Sequence, residues 1–323
     1  MRQVAPEQSG QPRRPVRAAR FTPRQWVGVG VVVAIGVLAL AASGVAAARW
    51  LSGLDGVRDF LERYPGAYPL PVGAPVGIPP WLGWQHFFNA FLMVLIISSG
   101  WRVRRETRPA VFWSPRGRPK RKTSLTIWFH QALDVLWLLN GAVFVVLLFA
   151  TGQWMRIVPT SWEVFPNALS AMVQYASLDW PTENGWVNYN SLQQLAYFAT
   201  VFVAAPLATV SGIRLSTLWP RGDRLASRLY PFEAARRIHV TVMVFFVVFI
   251  VIHVALVFAT GALRNLNHMY AAQGSVDPAA PAENWTGFWM FVLSIGVIAV
   301  AAIAARPAVL APIARVFGTV TVR

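Results

Sequence analysis

The chain has 323 residues, 55% of them hydrophobic and 13% charged, with a formal net charge of +16 and no cysteine. A soluble domain of this length carries about 25% charged residues, so the composition excludes an ordinary water-soluble enzyme. The missing thiols exclude disulfides, cysteine-ligated iron–sulfur clusters and cysteine-tethered prosthetic groups, which leaves histidine to carry most metal ligation.

Six apolar stretches, at about 26–48, 84–101, 127–150, 192–212, 239–260 and 285–305, approach the roughly 20 residues needed to cross hydrocarbon. They predict an all-α integral membrane protein with six transmembrane helices. Of the 29 basic residues, 24 fall in the first 25 residues, in 102–122, in 214–237 and in the tail from Arg306. The alternate loops hold only Arg49, Arg58, Arg63, Arg156 and Arg264, together with most of the acids. Lys and Arg mark the cytoplasmic side, so both termini are expected there. The basic excess is therefore topology and not a nucleic-acid signal.

In chain order, residues 1–25 are rich in Pro, Arg and Gln and read as a disordered cytoplasmic segment. The membrane domain is expected over 26–305. The first span ends in small residues, as a secretory signal does, but its apolar run is longer than a signal core. It is read as a retained helix running outward. An external, proline-punctuated loop over 51–80 is expected to hold a short helix at about 55–63. The second span runs inward with His86 near its outer end, and the third runs outward with His130 near its inner end. A second external loop, 151–190, is expected to carry an amphipathic segment near 162–175. The fourth span contains no histidine. The fifth places His239 inside and His253 outside, and the sixth returns to a cytoplasmic tail over 306–323. Trp26, Trp50, Trp84, Trp101, Trp154 and Trp285 fall at span ends, as an aromatic belt does.

His239 and His253 are fourteen residues apart, close to four helical turns, so they share one face about 21 Å apart along the axis. Imidazole inside a bilayer is costly unless something binds it. The charge-derived topology sorts four histidines into two tiers, with His130 and His239 on the inner side and His86 and His253 on the outer. Each tier draws its two imidazoles from different helices, as a bis-histidine haem held within a bundle requires. Two axial nitrogens fill the iron's coordination and favour electron transfer over oxygen chemistry. The expected cofactors are two haems b, with iron pairs His86–His253 and His130–His239. His268 lies in an external loop and is expected to be solvated.

Further candidates surround these pairs. Gly100, Gly141 and Gly212 give close approach to a porphyrin face or, equally, to another helix. Arg236 and Arg237 precede His239 and suit haem propionates as well as they suit positive-inside anchoring; Arg264 is a weaker candidate at the outer tier. Asp134, one helical turn after His130, is read as a ligand-orienting group, as a proton acceptor at a quinone site or as an interfacial hydrogen-bonding group.

Four segments carry a family resemblance: WQHFFNAFLMVLIISSGW from Trp84, FHQALDVLWLLNG from Phe129, YNSLQQLAYFAT from Tyr189 and RRIHVTVMVFFVVFIVIHV from Arg236. Together they make the chain resemble the prokaryotic cytochrome b561 and nickel-hydrogenase cytochrome b superfamily, which includes formate dehydrogenase gamma and thiosulfate-reductase cytochrome b subunits. The resemblance covers about 84–260 and implies a four-helix haem core formed by the second to fifth spans, with the first and sixth peripheral. It also implies the same two histidine pairs and a place in the inner (plasma) membrane of a prokaryotic cell. Here a span precedes that core, so the core is inverted relative to four-helix members, and the face that carries a partner stays open.

The resemblance implies a dihaem subunit that moves electrons across the membrane between a quinone pool and a partner oxidoreductase, which in such families is often a molybdopterin enzyme. Two alternatives stand beside this reading: a self-contained transmembrane haem reductase, and a non-redox transporter or membrane anchor whose histidines are structural.

Overall fold

A computed structural model describes residues 22–118, 120–180, 184–216, 219, 224–277 and 284–323. The segment expected to be disordered, 1–25, lies almost wholly outside the described residues. Helix α1 (Pro23–Ser52) begins in a capping box in which Thr22 and Gln25 exchange side-chain and backbone bonds, with Pro23 in the first turn. The short α2 (Asp55–Arg63) follows where a short helix was expected. Then come α3 (Pro80–Arg105), strands β1 (Val111–Pro115) and β2 (Thr123–Ser124), and α4 (Leu125–Ala150), whose N-cap is Ser124.

A 3-10 turn (Gln153–Arg156) leads to α5 (Val164–Ser177), the expected amphipathic segment. Next, α6 (Ser191–Phe198), a π-helical turn (Ala199–Ala204) and α7 (Ala205–Leu215) run together as one span. Pro206 explains that turn: it lacks an N–H and crowds the carbonyl four residues back, and a widened turn relieves both. The remaining elements are α8 (Arg224–Leu229), α9 (Phe232–Ala259), α10 (Ala262–Leu266), a second π turn (Asn267–Ala271), α11 (Thr286–Ala304), α12 (Pro307–Phe317) and β3 (Gly318–Val322).

Among the described residues, six segments are long and apolar enough to cross a membrane: α1, α3, α4, Ser191–Leu215, α9 and α11. Their large apolar side chains are mostly exposed, as lipid-facing surfaces require. Trp26, Trp50, Trp84, Trp101 and Trp285 are exposed at or near span ends. Helix α3 packs along α4 and α7 packs along α9, giving two antiparallel hairpins that face each other. Leu92, Leu95 and Leu133 pack with Trp137, and Ala204, Val242 and Phe246 pack with Met93. Trp137 and Phe246 meet edge to face at 6.5 Å between ring centroids, midway along the sequence between the histidine tiers. Helix α1 lies against α5 and α2 at the periphery.

The chain's end is more ordered than a simple tail. Strand β3 pairs antiparallel with β1, matching Val111 to Val322 and Pro115 to Gly318, and β1 also pairs with β2. Leu310 and Ala314 of α12 bury against Leu125 at the start of α4, and Trp113 Nε1 donates to the Ala314 carbonyl at 3.1 Å. Among the described residues the regular structure is helical apart from this small sheet, which closes the basic face of the bundle.

Candidate functional site

The two hairpins bring the four histidines into two pairs. His86 on α3 faces His253 on α9 with ring centroids 6.3 Å apart; His130 on α4 faces His239 on α9 at 6.4 Å. A metal-bound imidazole nitrogen sits about 2.0 Å from the metal. The ring centroid lies about 1.2 Å behind that nitrogen, so two rings flanking one iron have centroids about 6.4 Å apart. Both pairs have that spacing, and the donor set suits a six-coordinate haem iron. An open groove between α3 and α9, lined by Ile97, Ser98, Trp101, Arg102, Met243, Val244 and Val247, runs along an exposed apolar flank, and none of the four histidines lines it.

The inner rings are held from behind. Ser99 Oγ lies 2.8 Å from His130 Nδ1, and Ser211 Oγ lies 3.0 Å from His239 Nδ1. Both serines are buried. The glycine after each serine lies against the same ring: a Cβ on Gly100 would stand 3.1 Å from His130 Cε1, and one on Gly212 would stand 3.5 Å from His239 Cε1. Of the two readings of these glycines, close approach to an imidazole replaces approach to a neighbouring helix backbone. A Cβ on Gly141 meets nothing within 4 Å, so helix packing does not account for that residue.

Asp134 sits beside the inner pair with Oδ2 3.8 Å from His130 Nε2, beyond hydrogen-bond range. Ser99, not Asp134, contacts the ring's outward nitrogen. Arg236 pairs with Glu233 at 2.7 Å, and Arg237 is exposed.

At the outer pair, His253 stacks on Phe249 at 5.6 Å and meets Tyr197 at 6.3 Å, while His86 meets the edge of Tyr270 at 5.6 Å. Above it the loops form a buried polar cap that no sequence pattern announced. Arg156 is 1% exposed; its Nη1 and Nη2 donate to the Gly77 and Gly185 carbonyls, each at 2.6 Å, and its guanidinium lies over the Tyr189 ring.

His268 corrects an expectation. It is 5% exposed, not solvated, and packs against Trp186 with centroids 5.4 Å apart. The loop after α9 folds into α10 and its π turn, and Asn267 pins that turn by accepting from Gly287 N at 2.7 Å and donating to the Asn284 carbonyl. Burial first, then the positive charges of Arg264 and Arg156, lowers the His268 pKa to about 4.

Arg156 and His268 gave no sequence signal, because their burial comes from loop folding. Ser99 and Ser211 did: Ser99–Arg102 and Ser211–Arg214 both read Ser-Gly-x-Arg.

Residues 78–272, a stretch containing all four paired histidines, match the family described as prokaryotic cytochrome b561. A curated relative, the putative protein-methionine-sulfoxide reductase subunit YedZ1 of Azospira oryzae, is 29% identical over 194 residues, covering 55% of this chain and 88% of its own. No solved structure matches.

Proposed function

Because the chain belongs to the prokaryotic cytochrome b561 family, whose members are haem b electron-transfer proteins of the membrane, we propose that it carries two haems b. The axial pairs are His86–His253 and His130–His239, and the centroid spacings of 6.3 and 6.4 Å carry this reading. When bound, each haem supplies a one-electron redox centre. The protein's part is to hold the iron closed between two imidazoles, to keep water from it with Leu92, Leu95, Leu133 and Phe246, and to set its potential. In this reading Gly100 and Gly212 leave room for the His130 and His239 rings, and Gly141 leaves open space on α4 for a macrocycle face. Arg236 and Arg237 serve the basic-face propionates in this reading, with Arg236 sharing its charge with Glu233.

The subunit passes electrons between a quinone pool and a partner oxidoreductase. The relative's name as a reductase subunit supports a partner, and the charge distribution supports both termini lying in the cytoplasm, in the inner membrane. Purified protein is expected to show a reduced b-type α-band and two haems per chain. His239→Ala and His253→Ala are each expected to lose one haem, and not the same one. A colourless protein, or variants that both lose the same haem, would refute the assignment.

A further inference from the structure

The inner imidazoles are not simply placed opposite each other; their proton positions follow from what lies behind them. Ser99 Oγ is 3.0 Å from the Ile96 carbonyl and 2.8 Å from His130 Nδ1. A serine hydroxyl has one proton, and a carbonyl can only accept. With that proton on the carbonyl, as helix serines commonly place it, the oxygen accepts from Nδ1–H. His130 Nε2 then keeps its lone pair, with Asp134 Oδ2 3.8 Å away.

The same construction recurs on the other hairpin. Ser211 Oγ donates to the Leu207 carbonyl at 2.6 Å and lies 3.0 Å from His239 Nδ1. In each case the next residue is glycine: a Cβ on Gly100 would crowd the His130 ring at 3.1 Å, while one on Gly212 would make ordinary contact with the His239 ring at 3.5 Å. Two unrelated helices, α3 and α7, thus present an identical Ser-Gly clamp to two imidazoles that face each other. At the outer pair, His86 Nδ1 is buried and has no hydrogen-bond partner among the described residues.

We propose that Ser99 and Ser211 are positioning residues that fix the Nδ1–H tautomer of both inner ligands and hold the inner haem at a lower potential than the outer one. This rests on the two-pair reading above. A hydrogen-bonded Nδ1–H makes Nε2 a more basic ligand, and greater electron donation to iron favours the oxidised state. The glycine supplies room and the serine supplies the proton acceptor.

The test uses the full-length, haem-loaded protein with S99A, S99T, S211A and S211T, followed by redox titration of the α-band. Each alanine variant is expected to raise the midpoint of one haem and leave the other in place, with that haem's affinity reduced about 10- to 100-fold; threonine, which keeps the hydroxyl, restores both. Unmoved midpoints in the alanine variants, or equal shifts of both haems, overturn the proposal. Because threonine adds a methyl at a buried site, a second measurement stands beside it. In haem-free protein labelled with ¹⁵N-histidine, His130 and His239 are expected to show Nδ1–H tautomers that are lost in the matching alanine variant; Nε2–H tautomers in the unmutated protein overturn the proposal. A wild-type preparation with a single haem defeats the two-pair reading instead, and the serine assignment then stands or falls on whether that haem's midpoint moves in S99A or S211A.

Discussion

Adding one methyl group at Gly100 separates the stability of the helix from the fitness of the site. In an exposed helix interior, alanine is favoured over glycine by about 1 kcal/mol, so Gly100→Ala on its own would strengthen α3. The new Cβ, however, would stand 3.1 Å from His130 Cε1, inside the optimum of about 3.5–4.0 Å for two carbons. His130 must retreat by a few tenths of an ångström, and the nearby 2.8 Å contact between Nδ1 and Ser99 Oγ constrains that retreat. Losing that one bond is worth about 1 kcal/mol, which is about a fivefold fall in affinity for the haem held there. Gly212→Ala is the internal control: its Cβ would stand 3.5 Å from His239 Cε1, an ordinary contact, so its haem is expected to bind nearly as before. Haem-to-protein ratios after graded detergent washing, read with thermal unfolding, check both halves. Haem-free Gly100→Ala should unfold no earlier than haem-free wild type, while the loaded variant releases one haem more readily. Equal losses from the two glycine variants, or a haem-free variant that unfolds earlier than haem-free wild type, would refute the steric argument.

The polar cap and the buried histidine give two further expectations. Arg156→Met leaves the Gly77 and Gly185 carbonyls without their guanidinium donors, and each charged hydrogen bond is worth about 1.5–3 kcal/mol; thermal unfolding should show a loss of about 3 kcal/mol or more, and a loss below about 1 kcal/mol contradicts the bridging role. His268 is held neutral by burial and faces Arg264 and Arg156, with its pKa lowered to about 4. The unfolded chain takes up this proton first, so stability is lost as the pH falls from about 6.5 toward 4 and levels off below that. His268→Gln should flatten this part of the curve of unfolding temperature against pH, and an unchanged slope would show that other groups carry it.

What was legible in the sequence depended on range. The spans and the depth of each histidine follow from local apolar length and from the sign of the flanking charge, so His86 pairs with His253 and His130 with His239 on tier alone. The short helix at Asp55–Arg63 and the amphipathic α5 also follow from local pattern. The pairing of β1 with β3 joins residues about two hundred positions apart, and five-residue strands leave no period long enough to announce it. His268 looked solvated because polar residues and a short loop surround it; its burial depends on Gly83 and Gly287 admitting the π-turn backbone, which no local pattern encodes. Asp134 drew attention as an acid within a span, while the contact to the ring's outer nitrogen belongs to an unremarkable serine. The repeated Ser-Gly-x-Arg was readable in the sequence, but its meaning appears only once both copies are seen behind imidazoles.

The most direct test of the account is an experimental density map of the haem-loaded protein. It is expected to show two macrocycles stacked across the membrane, one iron between His86 and His253 and the other between His130 and His239, each bound through Nε2. A map with a single macrocycle, or with either histidine pair not bound to a shared iron, would contradict it.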